Sequence, residues 1–285
     1  MSLLGDAKGY AIARRTLIYA LRSLATLPEG SFVLVGAHAV HLRAPEVIAS
    51  IAPFTLDGDL AADPVRIRIA HVISDHLERA GFVFRNEYGG FYWRGDASED
   101  EREATKIDIL VPQSMEHLWQ AEGFQRRDYL ATQSQRGLEL CLVDHSPMRL
   151  GHIGVDDSEE SIVVEVASIL ALLVAKGWKI GERYELGAEA FHEVRKDIAD
   201  VYLLLRAADF EAMETVLRER CKSNDLKEVA RRGARFLKDL CGSGGPGLVL
   251  LREILGRGEE ADLILASLAA LSEDFAGLAE STQRA

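Results

Sequence analysis

The sequence predicts an α+β fold: a mixed sheet with flanking helices, followed by a C-terminal α-helical domain. Three observations carry this expectation. Up to about residue 158, short β-prone apolar runs alternate with stretches of helical period; beyond it every periodic stretch is helical; and the charged run Asp156 to Glu160 lies between. The expected domains are therefore 1–158 and 159–285, a boundary set by the change of pattern.

Each element has its own signal. Ala11 to Leu27 places Leu17, Ala20, Leu21 and Leu24 on one helical face. Ser31 to Val35 (SFVLV) is a short apolar strand that Gly36 breaks before a helix from Ala37 to Leu42. Phe54 to Leu60 (FTLDGDL) reads as a strand, and Arg66 to Ala80 as a helix stopped by Gly81. Phe82 to Arg85, Gly90 to Arg94 and Lys106 to Val111 read as three more strands, the last two separated by a loop carrying Asp96, Glu99, Asp100, Glu101 and Glu103. Leu138 to Val143 and Met148 to Ile153 suit a hairpin around Asp144 to Pro147. Then come six helical stretches: Val164 to Trp178, His192 to Ala208, Phe210 to Lys222, Asp225 to Leu240, Gly247 to Leu255 and Glu259 to Leu278. The GSGGPG run from Gly242 lacks the Lys-Ser/Thr of a phosphate loop and reads as a turn between helices.

Composition narrows the function classes. The 285 residues hold 33 Lys and Arg against 45 Asp and Glu, a net charge of −12, which argues against a protein that coats nucleic acid by neutralising phosphates. Three cysteines, Cys141, Cys221 and Cys241, have no paired or Cys/His ligand spacing, so neither a disulfide framework nor a structural zinc site is expected. The longest apolar stretch, Ile162 to Ala175, is interrupted by Glu165 and Ser168, and the first residues lack a signal-peptide core, so the expectation is a cytoplasmic protein with no membrane partner.

The chemistry is concentrated in a few acids. Asp57 and Asp59 flank Gly58 on an expected strand, and a period of two sends both carboxylates to one face. In Lys106 to Leu110 (KIDIL), Ile107 and Ile109 bury one face and Asp108 takes the other. If the two strands pair closely, three oxygen donors converge, a set suited to Mg²⁺ or Mn²⁺. The bland alternative is a D-G turn with Asp108 on the surface. Upstream, Gly36 precedes a helix start at which the backbone N–H groups of Ala37 and His38 could meet a phosphate.

The strand–Gly–small residue–helix segment, the T-x-D-G-D-L run and the K-I-D-I strand together resemble the nucleotidyltransferase fold of the DNA polymerase β superfamily. Leu170 to Lys176 (LALLVAK) and Arg195 to Asp200 (RKDIAD) further resemble its AbiEii-like branch of type IV toxins. This resemblance spans about residues 31 to 205. It implies that Gly36, Ala37 and His38 line the nucleotide phosphates, that Asp57 and Asp59 bind catalytic metals, and that Asp108 is the third carboxylate, as base or ligand. It implies also that Lys176 reaches the triphosphate and that Asp197 joins the same pocket. Two departures stand out: Gly36-Ala37 replaces the family's Gly-Gly or Gly-Ser, removing a hydroxyl, and D-G-D replaces D-I-D, removing an apolar anchor. Lys176 alternatively reads as a lysine at a helix C-terminus before Gly177, and Lys196, Asp197 and Asp200 as a solvated helix face.

Other candidates are weaker. His38 and His41 lie three apart on a helix but lack a third metal ligand nearby, and no G-x-S-x-G is present. Arg218 to Lys238 carries eight basic and three acidic residues, and Lys227, Arg231, Arg235 and Lys238 align as one helical stripe. The stripe suits either a solvated face or the phosphates of an RNA acceptor such as a tRNA end. The resemblance thus implies a Mg²⁺-dependent enzyme, with Mn²⁺ as alternative ion, that moves a nucleoside monophosphate from an NTP to a hydroxyl of RNA or protein, with an antitoxin as a further partner. A small-molecule, antibiotic-type nucleotidyltransferase and a nucleotide-binding pseudoenzyme are the alternatives.

Overall fold

The computed structural model describes residues 7–45, 55–67, 73–85, 90–93, 105–120, 132–152 and 161–281. The chain divides into two compact units. The first comprises Met1–Leu42, Phe54–Gln135 and His145–Ala167; the second comprises Arg43–Pro53, Arg136–Asp144 and Ser168–Ala285.

The first unit is built on a mixed eight-stranded sheet. Its strands are β1 (Phe32–Val35), β2 (Asp57–Ala62), β3 (Phe82–Phe84), β4 (Phe91–Trp93), β5 (Lys106–Pro112), β6 (Thr132–Gln135), β7 (His145–Leu150) and β8 (Ile162–Ala167). The order is β3-β4-β5-β2-β1-β8-β7, with β6 also pairing β5. β1 runs antiparallel to β2 and parallel to β8, while β2 and β5 run parallel. All four residues of β1 are buried, as the apolar FVLV run requires of a central strand. Helices α1 (Ala7–Leu24), α2 (Gly36–Arg43), α3 (Pro64–Ile67), α4 (Ile73–Arg79) and α5 (Glu116–Gln120) flank the sheet. Leu17 and Ile18 of α1, Leu34, Leu60, Ile107 and Ile109 are fully buried and form the core.

The second unit is helical: α6 (Ile169–Glu185), α7 (Ala188–His192), α8 (Arg195–Ala207), α9 (Phe210–Arg220), α10 (Asn224–Cys241), α11 (Pro246–Leu255) and α12 (Glu259–Ser281). Ser168, Asp209 and Ser223 cap three of these helices by accepting from the backbone N–H groups of Ala171, Ala212 and Leu226. α6 and α10 cross at a glycine pair, where a Cβ on Gly177 would lie 2.2 Å from the Gly233 carbonyl oxygen. The GSGGPG run is the expected turn, with Pro246 opening α11.

The structure corrects several expectations. Val164 to Trp178 is not one helix: Ile162–Ala167 is strand β8, paired on both sides, and the helix starts after the Ser168 cap. IVVEVA is rich in β-branched residues, and its apolar continuity with the following helix hid the junction. The units accordingly divide at Ala167 and Ser168, and the expected connector around 158 lies outside the described residues. Leu138 to Val143 forms consecutive turns, with Cys141 and Asp144 N–H groups donating to the Leu138 and Leu140 carbonyls, and β7 pairs β8 instead. Strand β6, polar TQSQ, gave no apolar signal. The stretch Arg66 to Ala80 contains α3 and α4 with residues 68–72 outside the description, as is the acidic loop from Asp96 to Glu103. His192 to Ala208 is interrupted after His192, and α8 begins at Arg195.

Candidate functional site

Strand pairing in the first unit brings the acids together as a block. Register places Asp57 opposite Lys106 and Asp59 opposite Asp108. Residues two apart on a strand share a face, so these four side chains form two adjacent rows on one surface of β2 and β5. The opposite surface is packed: a Cβ on Gly58 would lie 2.9 Å from Ile107 Cδ1 and 3.0 Å from Leu17 Cδ1. The glycine of D-G-D is thus the space that α1 fills, and at this one position the packing comes from Leu17 rather than from a side chain of the strand. Thr16 and Thr105, buried with hydroxyls 3.0 Å apart, add a second tie between α1 and the start of β5.

Gly36 meets the block from the end of β1. Val35 is the register partner of Asp59, and Gly36 adopts a φ of +65°. A Cβ there would lie 1.8 Å from Asp59 Oδ2, so both backbone conformation and side-chain approach require glycine. Ala37 and His38, the next residues of α2, are buried. The His38 ring stacks on Tyr10 at 4.8 Å, and the Tyr10 hydroxyl lies 2.7 Å from both His41 Nδ1 and Arg14 Nη2. His38 and His41 thus both meet Tyr10 of α1.

Asp108 is 7% exposed. Its Oδ2 accepts an ion-paired hydrogen bond from Lys106 Nζ at 2.8 Å, and its Oδ1 accepts one from Gln133 Nε2 at 3.3 Å. Burial, and next the charge of Asp59, push the Asp108 carboxyl up to about 7, against the opposing pull of the Lys106 hydrogen bond. Burial lowers Lys106, yet the hydrogen bond and charge of Asp108, reinforced by Asp57, hold it above its ordinary value. Gly90 lies close by, where a Cβ would stand 2.6 Å from Asp108 Oδ1 and 2.8 Å from Lys106 Cδ. Lys106 was within the K-I-D-I motif but was not expected in the site; its i, i+2 spacing from Asp108 was the available signal.

As the side chains stand, no three His, Cys, Asp or Glu among the described residues lie close enough to hold a metal ion together. Asp57, Asp59 and Asp108 share a face, but they are not assembled as a three-ligand set, and the cation in contact with Asp108 is Lys106.

Lys176 and Asp197 lie in the second unit, and there they meet each other. Lys176 Nζ is 2.5 Å from Asp197 Oδ1 and 2.6 Å from Asp200 Oδ2, and Lys179 pairs with Asp197 at 3.0 Å. Burial opposes the Lys176 charge, but Asp197 and Asp200 outweigh it and hold the ammonium above its ordinary value. Burial likewise opposes the Asp197 charge, and Lys176 and Lys179 outweigh it and hold the carboxyl below its ordinary range. Two expectations fall here. Lys176 is in the middle of α6, not at a helix end, because Gly177 serves the crossing with α10. Asp197 and Asp200 are buried, not on a solvated face.

The basic stripe on α10 is real as an alignment but partly neutralised. Arg231 is paired with Glu228 at 2.6 Å, whereas Lys227, Arg235 and Lys238 form no ion pair among the described residues. Arg232, outside the stripe, sits over the rings of Trp178 at 4.8 Å and Phe236 at 5.4 Å. A groove of about 280 Å³ is lined by Glu228, Arg231, Arg232, Arg235, Phe236 and Asp239. The cysteines offer no nucleophile: all three are buried, and burial pushes the Cys241 thiol up to about 12.

No family model, no curated protein and no solved structure matches this chain. No helix among the described residues is long and apolar enough to cross a membrane.

Proposed function

We propose that the chain is a nucleotidyltransferase of the DNA polymerase β type, moving a nucleoside monophosphate from an NTP to a hydroxyl acceptor. The observation that carries this reading is the register pair Asp59–Asp108 set directly against the Gly36 turn at the end of β1. The turn offers a close backbone approach next to two carboxylates, the arrangement that phosphoryl chemistry needs to position a nucleotide beside a proton acceptor. Asp108, pushed up to about 7, is suited to take the proton of an incoming hydroxyl at neutral pH. Such chemistry ordinarily uses a divalent ion. Because the three carboxylates form no ready ligand set, the proposed role of Asp108 is confined to the proton, and no step is assigned to a metal.

The acceptor belongs to the same proposal. RNA, such as a tRNA end, is favoured by Lys227, Arg235 and Lys238, and a protein hydroxyl is the alternative; the toxin role and the antitoxin partner rest on the sequence resemblance alone. Incubating the chain with α-labelled NTPs, Mg²⁺ or Mn²⁺ and cell extract tests the reading. Label is expected in a macromolecule and is expected to vanish with Asp59→Asn and with Asp108→Asn. Absence of label in any acceptor sinks it, and label in a cationic small molecule redirects it to the antibiotic-type alternative.

The contact between Lys106 and Asp108 favours a second reading, a nucleotide-binding pseudoenzyme in which lysine neutralises the acid that would otherwise react. NTP binding without turnover under either ion distinguishes it.

A further inference from the structure

Tyr10, Arg14 and Leu17 fall at i, i+4 and i+7 of α1 and share one helix face. That face turns inward: Leu17 packs on the surface of β2 and β5 opposite the acids, and Arg14 is buried with it. Burial strips the guanidinium of water, and an arginine does not shed its charge to compensate. Nη2 of Arg14 donates to the Tyr10 hydroxyl at 2.7 Å, and the guanidinium lies 5.4 Å from the Tyr10 ring centroid. Its Nε is enclosed and makes no hydrogen bond, and Arg14 forms no ion pair among the described residues. Tyr10 is itself fixed, its hydroxyl 2.7 Å from His41 Nδ1 and its ring stacked on His38 at 4.8 Å. The arginine is therefore held in one position by neutral partners, with its full charge and the N–H of Nε unanswered.

We propose that Arg14 is the anchor of an anion site between α1 and α2, which takes the oxygens of a phosphate or carboxylate group. The N–H of Nε and that of an adjacent Nη form a planar fork, and such a fork matches two oxygens of one oxyanion. Tyr10 is a positioning residue, since it holds Nη2 and is held in turn by the two histidines of α2. Arg14, Tyr10 and His41 keep 7%, 5% and 4% of their surface open, so the cluster is enclosed without being sealed. The site is on the side of the sheet away from Asp57, Asp59 and Asp108, and the inference does not depend on nucleotidyl transfer.

Calorimetric titration of the full chain with inorganic phosphate, and separately with acetate, tests it, with chloride keeping the ionic strength constant. Wild type is expected to bind phosphate saturably, and Arg14→Met to bind it at least about tenfold more weakly. Arg14→Lys keeps the charge without the fork and is expected to fall between the two. Tyr10→Phe, which keeps the ring and removes the hydroxyl that holds Nη2, is expected to weaken binding while leaving the charge in place. That variant and Arg14→Gln carry the comparison if the methionine variant folds poorly. Thermal melts add a second measurement: phosphate is expected to raise the melting temperature of wild type more than that of Arg14→Met, a difference that the general stabilising effect of phosphate salts does not produce. Binding of acetate with the same dependence on Arg14 supports the site with a carboxylate as occupant. Competition between ATP and inorganic phosphate supports it with a nucleotide's phosphate group as occupant, and binding of inorganic phosphate undisturbed by ATP supports it with the small anion. No saturable binding of phosphate or acetate by wild type overturns the proposal, and so does equal binding by wild type and Arg14→Met.

Discussion

Gly36, Asp108 and Lys176 each sit where one atom more or one charge less has a calculable consequence. Gly36→Ala would force a non-glycine residue into a φ of +65° and bring its Cβ onto Asp59. The expected cost is roughly 1–3 kcal/mol or more, seen as a lower denaturation midpoint, together with loss of NTP binding. For Asp108 the sign follows from a carboxyl raised from 3.8 to about 7 in the folded chain. The folded state holds the proton more tightly than the unfolded state, so this group favours folding at low pH and the contribution is lost as pH rises through about 7. Asp108→Asn should therefore be more stable than wild type at pH 8 and lose that advantage toward pH 4, in paired denaturant titrations. Asp197 has the opposite sign: its carboxyl is depressed, so its pairing stabilises the fold above the unfolded value and fades as pH falls below the usual carboxylate range. Lys176→Met leaves Asp197 and Asp200 buried without their shared cation and should cost roughly 3–5 kcal/mol, with Lys176→Met/Asp200→Asn recovering part of it. The residue types of these sites were legible in the chain: D-x-D, K-I-D and K-D-x-x-D all stand out. Their partners were not, because a side chain meeting another 21 or 24 positions away leaves no local trace.

At the scale of elements, two glycines in helices make opposite predictions. Gly177 is in α6 where a Cβ would meet the Gly233 carbonyl at 2.2 Å, whereas Gly277 in α12 has nothing within 4 Å. Gly177→Ala should destabilise by roughly 1–3 kcal/mol through overpacking. Gly277→Ala should stabilise by roughly 0.5–1 kcal/mol through helix propensity. Thermal melts of the two variants beside wild type check both signs. Propensity and period located most elements, since a lone amphipathic stretch such as α1 or α10 declares itself in sequence. They failed where the decision was cooperative. β8 exists because β1 and β7 pair it on either side, and only Ser168 and Ile169 separate its run IVVEVA from the apolar LALLVA of α6. β6 is strand because β5 offers it an edge, not because TQSQ prefers to be extended.

For the whole molecule, the two units cut the chain differently from its change of pattern. A fragment ending at residue 158 lacks β8, the strand between β1 and β7, and should fail to give cooperative unfolding. A fragment ending at Ala167 retains all eight strands and should unfold more cooperatively, by circular dichroism and urea titration. The helical unit also needs Arg136–Asp144: a Cβ on Gly137 would stand 2.6 Å from Trp178 Cδ1, and Asp144 accepts from Ser168 Oγ and pairs with Arg220. A fragment starting at Ser168 should accordingly be less stable than a chain that keeps this segment. The net charge of −12 describes the balance of the molecule, while Asp57, Asp59 and Asp108 are gathered on one surface of β2 and β5 and a stripe of bases, Lys227, Arg235 and Lys238 among them, lies along α10.

By itself the sequence determined the α+β class, the helical second half, the Gly36 break after β1 and the alternation that puts Asp57 and Asp59 on one face. These are properties of neighbouring residues, set by backbone sterics and by the periods of strand and helix. Only the tertiary structure decided that Asp108 faces Asp59 with Lys106 on its carboxylate, that Gly58 makes room for Leu17, and that Lys176 is buried against Asp197 and Asp200. Register between β2 and β5 and the crossing of α6 with α10 fix those contacts, and both depend on burial summed over distant segments, which no local stretch encodes.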